Sequence, residues 1–372
     1  MPVMCREVFK IIDEIAPRHF AESWDNAGLQ VGDPRSEVDR VLLTLDVNLE
    51  VAAEAKGRGA GLIVSHHPIF FGPLKSINLD RPEGELIANL IKNSITVYSA
   101  HTNLDIVSGG INTVLAEKIG LTDISVLQET GRERYIKLAV FVPVDHADAV
   151  RRAVCEAGAG FIGNYSDCAF MTRGTGTFRP LQGTNPYTGK IGEVEQVEEF
   201  KLETIVPAGR VSSVISAMIK AHPYEEVAYD LYPLENMGPS HGLGRVGILQ
   251  KPMLFRQFAE HVKKALGLPC LRLGGSYDST VRKVAVCGGS GADLWPAAVS
   301  AGADTFVTGD LKYHVAQDML AAGLKFLDAG HHGTETVVLS ALHSRLSERF
   351  RQKNIDAEII LSKTNTDPFA YL

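Results

Sequence analysis

The chain has few cysteines and no long apolar run, and each of these features excludes a class of protein. Its five cysteines are scattered, odd in number and form no C-x-x-C pair. This argues against a disulfide framework and against a zinc site built from thiolates. The amino-terminal segment has the mixed charges of an amphipathic helix and not of a signal peptide, and no later segment is apolar for the length of a membrane span. We therefore expect a cytoplasmic protein with reduced thiols.

An excess of positive charge is also absent. The formal net charge of -7 gives no general electrostatic reason to bind nucleic acid or an anionic membrane. We expect neither as a partner, although a local basic cleft stays open as an alternative. A length of 372 residues, with 45% hydrophobic and 22% charged residues, predicts two or three globular domains.

Strand and helix patterns alternate at both ends of the chain. Apolar runs typical of buried strands cover 41–47 and 61–65, and helical patterns follow at 49–57 and 82–92. The same alternation resumes after residue 254 and indicates a mostly parallel sheet. The polar, glycine-rich segment 23–33 is predicted to be an ordered loop, either a surface connector or a substrate loop.

The middle of the chain, from Gln128 to Asn236, has a different order of elements. Its patterns follow the order β-α-β-β-α-β, which matches the ferredoxin-like motif. A glycine- and threonine-rich stretch from Thr172 to Gly192 is longer than most connections, and we predict a mobile or partner-binding loop there. The expected fold is α/β, with two halves at 1–127 and 237–372 that are interrupted by an inserted α+β domain at 128–236.

Polar side chains that can bind metals follow directly on four of the predicted strands. Ligands of an open parallel sheet bind beyond the carboxyl ends of its strands, so these groups should meet along one edge. Six of the twelve histidines fall in these positions. The motifs are His66-His67, His101 through Asp105, Gly309-Asp310 with His314, and His331 through Glu335 with His332.

These groups exceed what one tetrahedral metal site needs. His331 and Glu335 are four residues apart at the entrance to a predicted helix, so they share one face. Neighbouring His66 and His67 could face different ions, and Glu335 could bridge them. Imidazoles with a bridging carboxylate suit two divalent ions, which lie roughly 3.5–4 Å apart in two-metal hydrolases. Ligation by nitrogen without thiolates favours zinc, with iron, manganese, cobalt or nickel open, and histidines with a purely structural role are the alternative.

Further polar residues are candidates for catalysis or substrate binding. His101 and His332 could orient metal ligands or act as general acids or bases, and His314 is a third candidate for proton transfer. Lys312 and the glycine turn at Gly288 are candidates for contacts with an anion. The backbone geometry of a tight strand-to-helix connection is the more common explanation of the glycines in that turn.

Five motifs together resemble those of the GTP cyclohydrolase 1 type 2 homologues, also called Nif-three-like proteins. They are S-W-D-N-A-G-L-Q-V-G-D, H-H-P, H-T-N-L-D, G-D-L-K-Y-H and D-A-G-H-H-G-T-E. The resemblance covers 1–127 and 237–372, while the middle region resembles the PII/CutA-like insert of longer bacterial members. It implies a toroidal homohexamer whose sites face an internal cavity. It also implies a site for two metals per subunit, with Glu335 as the bridge, and the implied ligands are His66, His67, Asp105, His331 and Glu335.

Two functions are compatible with these expectations, whereas a third, a nucleic-acid-binding ring with a basic inner cavity, has little support from the charge balance. The first is a metal-dependent hydrolase that uses metal-activated water on a nucleotide or other cyclic substrate. The family name implies opening of the purine ring of GTP with release of formate. The second is a non-catalytic regulator or metal-handling protein in which the inserted domain senses a small ligand.

Overall fold

Two units make up the fold, and the first is built from two separate stretches of sequence. The structure, a computed structural model, describes residues 2–371. The first unit comprises the residues up to Thr130 together with those from His241 onward, and the second comprises Gly131–Ser240. Within residues 2–371, every helix is too short or too polar to cross a membrane.

The strands and helices follow one another throughout the chain. The strands are β1 Val3–Met4, β2 Gly28–Val31, β3 Glu37–Val38, β4 Arg40–Thr44, β5 Leu62–Ser65, β6 Thr96–Ser99, β7 Leu121–Pro143, β8 Ala169–Phe178, β9 Glu195–Pro207, β10 Tyr229–Leu254, β11 Arg272–Gly274, β12 Thr280–Val286, β13 Thr305–Thr308, β14 Lys325–Asp328 and β15 Glu358–Leu361. The helices are α1 Cys5–Ile15, α2 Leu49–Gly57, α3 Pro82–Lys92, α4 Thr102–Ile106, α5 Ile111–Lys118, α6 Ala147–Glu156, α7 Val211–Ala221, α8 Phe255–Ala265, α9 Trp295–Ser300, α10 Tyr313–Ala321, α11 His331–Glu335 and α12 Val338–Gln352.

One sheet of the first unit has five strands in the order β15-β4-β5-β6-β2. The first four are parallel, and β2 pairs antiparallel with β6 at the edge. Every residue of β5 and β6 is buried, as expected for parallel strands that are covered on both faces. Helices α1 and α12 cover one face, while α2 and α3 cover the other. Asn48 caps α2 by accepting a hydrogen bond from the Val51 amide at 2.8 Å.

The other sheet of this unit contains β11-β14-β13-β12-β10 in that order. Strands β12, β13 and β14 are parallel, and β10 and β11 flank them in antiparallel pairing. The predicted parallel arrangement therefore holds for the central strands of both sheets. It does not hold for edge strands such as β2, which is antiparallel to β6. Because β2 lies inside the segment 23–33, the prediction of a loop is wrong for that part of the segment.

In the second unit the elements occur in the order β7-α6-β8-β9-α7-β10, and the strands lie in the order β10-β7-β9-β8. Helices α6 and α7 pack their apolar sides on the sheet through Val150, Val154, Val214 and Met218. The predicted loop from Thr172 to Gly192 is wrong over its first part. Residues Ala169–Phe178 form β8, because their backbone pairs with β9 along the whole strand and overrides the weak strand preference of glycine.

Candidate metal centre

The strand-end motifs converge across two sheets and not along one sheet edge. His66 and His67 follow β5 in the five-stranded sheet, whereas His331 follows β14 in the other sheet. The Nε2 atoms of His67 and His331 lie 3.3 Å apart, although 264 positions separate the two residues. The prediction of one shared edge is therefore wrong, because the strands belong to separate sheets whose carboxyl ends meet.

Each histidine of this cluster has its Nδ1 atom next to an oxygen acceptor. The pairs are His66 with the Ala100 carbonyl (2.9 Å), His67 with Asp46 (2.7 Å), His101 with Asp25 (2.8 Å) and His331 with Asp310 (2.7 Å). An Nδ1–H that donates to oxygen leaves the Nε2 lone pair available, which is the usual arrangement of metal-binding histidines. The hydrogen bonds therefore orient the rings for ligation through Nε2.

Glu335 lies among these rings and is only 4% exposed. Its Oε2 atom is 3.2 Å from Nε2 of both His67 and His331, and its Oε1 atom is 3.8 Å from Nε2 of His66. Helix α11 places His331 and Glu335 on one face at the predicted i, i+4 spacing. A carboxylate whose two oxygens face different imidazoles could bridge two cations.

Two buried polar atoms of the cluster have no hydrogen-bond partner among residues 2–371. They are Nε2 of His66 and Oε2 of Glu335, whose 3.2 Å contacts are not directed as hydrogen bonds. Leaving such atoms unpaired costs free energy. Nε2 of His66 is also 3.8 Å from Oδ1 of Asp105, which is too far for a hydrogen bond. One imidazole and two carboxylates thus surround a space, and their nitrogen and oxygen atoms are ligands that suit a divalent cation.

Among residues 2–371, two overlapping groups of three residues could each hold an ion. Within each group the ligand atoms lie within 4.8 Å of one another. One group is His66, His67 and His101, and the other is His67, His331 and Glu335. Because both contain His67, the two groups are adjacent.

Burial and charge have opposite effects on the two carboxyl groups of the centre. Burial would raise the pKa of Glu335, but the facing imidazoles, His331 first, hold this pKa well below its usual value. Burial raises the pKa of Asp105 to about 6. Burial lowers the pKa of His67, but the carboxylates of Asp46 and Glu335 outweigh burial and raise this pKa to about 10. The pKa of His331 is raised to about 9, mainly by its contact with Glu335. The centre therefore favours positive charge, as a proton or as a metal ion.

The glycine turn after β12 makes room for this centre. A Cβ atom at Gly289, where φ is +62°, would lie 2.1 Å from Oε1 of Glu335. The amide of Gly288 donates to Oδ1 of Asn112 and the amide of Gly289 to Oγ1 of Thr334, both at 2.9 Å. Neither amide is free for a phosphate, so the structure supports the backbone explanation of these glycines and not the anion-binding one.

The predicted proton-transfer residues lie in different surroundings. His101 is near the cluster, with its ring centroid 5.0 Å from that of His66. His332 lines the same cavity. The structure does not bring His314 to the centre, because α10 begins at Tyr313 and carries His314 exposed to solvent, with Nδ1 3.3 Å from Oε1 of Gln317.

Two carboxylates that orient histidines, Asp46 and Asp25, are not among the residues predicted from the sequence. Asp46 lies two residues beyond the end of β4 but inside the apolar run 41–47, so the predicted strand was too long to place Asp46 at its end. Asp25 is in the segment 23–33 and accepts a hydrogen bond from Nδ1 of His101, 76 positions away in the sequence. No local pattern indicates that contact.

The centre opens into a cavity of about 1220 Å³. Trp24 and Phe71 line this cavity, and more than half of each side chain is exposed. Their ring centroids lie 5.9 and 5.6 Å from the ring centroid of His101. Both meet the His101 ring edge-on. Aromatic rings beside a polar centre provide surfaces on which a planar ligand can stack.

Fold and centre together define a class: a mixed α/β protein in which imidazoles and carboxylates from two sheets meet in a buried candidate metal centre. The family model for Duf34/NIF3 (NGG1p interacting factor 3) matches residues 3–368. The chain belongs to the Duf34/NIF3 family, and the resemblance inferred from the motifs is confirmed.

Named relatives match nearly the whole chain. A GTP cyclohydrolase 1 type 2 homolog of Halalkalibacterium halodurans is 47% identical over 365 residues, which cover 98% of this chain and 98% of the relative. One from Bacillus subtilis is 43% identical over 367 residues, covering 99% and 98%. The chain is also similar to two solved structures. A Bacillus cereus protein related to NIF3 has a TM-score of 0.90 at 46% identity, and Staphylococcus aureus protein SA1388 has 0.74 at 31%, each covering 100% of this chain and 99% of the other.

Proposed function

We propose that this protein binds two divalent metal ions per subunit and uses them to hydrolyse a nucleotide or another cyclic substrate. The proposed ligands are His66, His67, Asp105, His331 and Glu335. The observation that carries the proposal is the pair of unpartnered buried atoms, Nε2 of His66 and Oε2 of Glu335, in a cluster where every Nδ1 is already held. Among metals, zinc suits a nitrogen-rich site without thiolates, and iron, manganese, cobalt or nickel stay open.

The chemistry that such a centre supplies is the activation of water near neutral pH. His101, held by Asp25, and His332 are the proposed groups for proton transfer, because both line the cavity. The exposed rings of Trp24 and Phe71 support a planar substrate. A nucleotide is consistent with the names of the relatives, which are GTP cyclohydrolase 1 type 2 homologs.

Elemental analysis of the purified protein tests the metal centre. The protein is prepared without chelator or metal-affinity resin, beside Glu335→Ala and the surface variant Glu348→Ala as a matched control. We expect about two metals per subunit in the parent and the control, as in two-metal hydrolases, and markedly fewer in Glu335→Ala. A parent that takes up no divalent ion, even when ions are added, would contradict the centre.

A turnover screen with nucleotides, in the metal found, then tests hydrolysis. Release of formate from GTP would support the reaction that the relatives' name implies. Tight metal binding without turnover of any nucleotide would favour the second function, a regulator in which the second unit senses a ligand. That unit contains a cavity of its own, which is the observation that favours this alternative.

Three further features belong to the proposal. We infer a ferredoxin-like, PII/CutA-like insert at 128–236, supported by the β-α-β-β-α-β order and the strand order β10-β7-β9-β8. We propose a toroidal homohexamer, which the family resemblance implies and which a mass measurement in solution tests. Location in the cytoplasm is proposed from the scattered, unpaired cysteines.

A further inference from the structure

The second unit contains a cavity of about 620 Å³ that shares no residue with the metal centre. Strand β8 forms one wall with residues 172–178, the segment from Pro180 to Tyr187 contributes a second, and residues 224–228 contribute a third. Glu199 and Lys201 reach it from β9. The volume lies within the roughly 300–1,000 Å³ that is typical of small-molecule sites.

Glu199 is the buried polar group of this cavity, and it is only 7% exposed. Its Oε1 atom accepts a hydrogen bond from the Tyr224 hydroxyl at 2.9 Å. Its Oε2 atom has no hydrogen bond, and the carboxylate has no ion pair, to any residue in the described range 2–371. A Cβ atom at Gly176 would lie 2.2 Å from Oε2, so this glycine of β8 provides the space in which the carboxylate sits.

The neighbouring histidine does not supply a positive charge to Glu199. Nε2 of His222 lies 3.0 Å from the carbonyl of Phe141, and its Nδ1 accepts the Tyr224 amide at 3.1 Å. Both ring nitrogens are therefore used in the neutral form, and burial lowers the pKa of His222 further. Lys201 is paired with Glu203 at 3.4 Å. The carboxylate thus keeps an acceptor available for a ligand.

Aromatic side chains surround this carboxylate. The ring of Tyr224 lies 5.9 Å from that of Phe178 and 6.0 Å from that of Tyr187, between centroids. Tyr187 belongs to a surface segment that is held in place, since the Asn185 amide donates to Glu225 at 3.0 Å. The rings offer flat apolar surfaces on more than one side of the cavity.

We propose that this cavity binds a planar 2-amino nitrogen heterocycle, as found in guanine and pterins. Such a ring carries an N–H beside an amino group, and the two donors match the two oxygens of Glu199, of which Oε1 can accept a second bond beside that of Tyr224. The ring plane would lie among Phe178, Tyr187 and Tyr224. All residues of this ligand site lie in the second unit, so binding there does not depend on whether the metal centre is catalytic.

Calorimetric titration of the full-length protein with guanosine tests this inference. Inosine, which lacks the 2-amino group, and adenosine, which presents an acceptor in place of the ring N–H, are the matched probes. We expect guanosine to bind at least roughly tenfold more tightly than either, because each leaves part of a buried carboxylate unpaired. Glu199→Gln should weaken guanosine binding by a similar factor, while Glu156→Gln, an exposed site on α6 with the same charge change, should not alter it.

Tyr187→Ala keeps the test decisive if the Glu199 variant fails to fold, since Tyr187 is 51% exposed in a surface segment. It should also weaken guanosine binding, because a ring on which the base would stack is lost. Absence of guanosine binding by the parent overturns the inference. So does guanosine binding that persists undiminished in both Glu199→Gln and Tyr187→Ala, because the nucleoside would then occupy another site.

Discussion

His67 and His331 come from different sheets and place their Nε2 atoms 3.3 Å apart, with Oε2 of Glu335 at 3.2 Å from each. Two imidazole lone pairs that face each other at this distance repel unless a cation or a proton lies between them. Asp46 and Asp310 accept hydrogen bonds from the Nδ1 atoms of these rings and hold them in this orientation.

Gly289→Ala should lower metal occupancy sharply. The new methyl group would lie 2.1 Å from Oε1 of Glu335 and 3.2 Å from Nε2 of His331, so the carboxylate must move away. Gly302→Ala is the matched control, because Gly302 also has a positive φ, +72°, but has open space at the Cβ position. Elemental analysis should show metal loss in the first variant only. Equal loss in both would show that backbone strain, and not the lost space, is responsible.

Asp310→Asn should weaken metal binding by roughly 10- to 100-fold, the usual effect of losing a carboxylate that orients a histidine ligand. Asp310 accepts from Nδ1 of His331 at 2.7 Å and itself lines the cavity. Asp318→Asn, an exposed site on α10, should leave the affinity unchanged. Competition with a coloured chelator measures both. An unchanged affinity in Asp310→Asn would argue that His331 is not a ligand.

The metal-free protein should lose the stability contributed by His331 as the pH rises. The folded pKa of His331 is about 9, above its unfolded value of roughly 6.5. A raised pKa means that the folded state holds the proton more tightly, so the contribution is complete below roughly pH 6.5 and is lost as the pH rises through about 9.

Urea unfolding of chelator-treated protein measures this effect by comparison with His331→Gln. The difference in free energy of unfolding between parent and variant should shrink from pH 6.5 to about 9. A difference that stays constant over this range would show that His331 does not change its protonation there.

Arg245→Lys should destabilise the first unit by roughly 2–4 kcal/mol. The Arg245 guanidinium is buried and donates to four backbone carbonyls, and burial lowers its pKa to about 10. The acceptors are the carbonyls of Gly242, Gly244, Ile106 and Val107, at 2.7 to 3.0 Å. An ammonium group cannot reach all four, so buried acceptors would be left unpaired.

Urea denaturation should detect this loss, and the exposed substitution Arg282→Lys should cause little change. Because Ile106 and Val107 directly follow Asp105, Arg245→Lys should also reduce metal occupancy. Full stability in Arg245→Lys would show that these carbonyls find other donors.

Several features of the protein are determined by local sequence. Helices α2 and α3 begin and end where the apolar periodicity predicts them, at 49–57 and 82–92, because helix geometry repeats over a few residues. The spacing of His331 and Glu335 on one face of α11 follows from the same repeat. The position of His67 directly after a buried strand is equally local.

Tertiary structure alone decided which of these groups meet. The contact between His67 and His331 requires two sheets to bring their strand ends together over 264 positions, and no periodicity encodes that distance. The same packing brings Asp25 to His101 and leaves His314 exposed on α10, although both histidines follow strands in the sequence. Local patterns report backbone geometry, whereas the site depends on packing between elements that are remote in the chain.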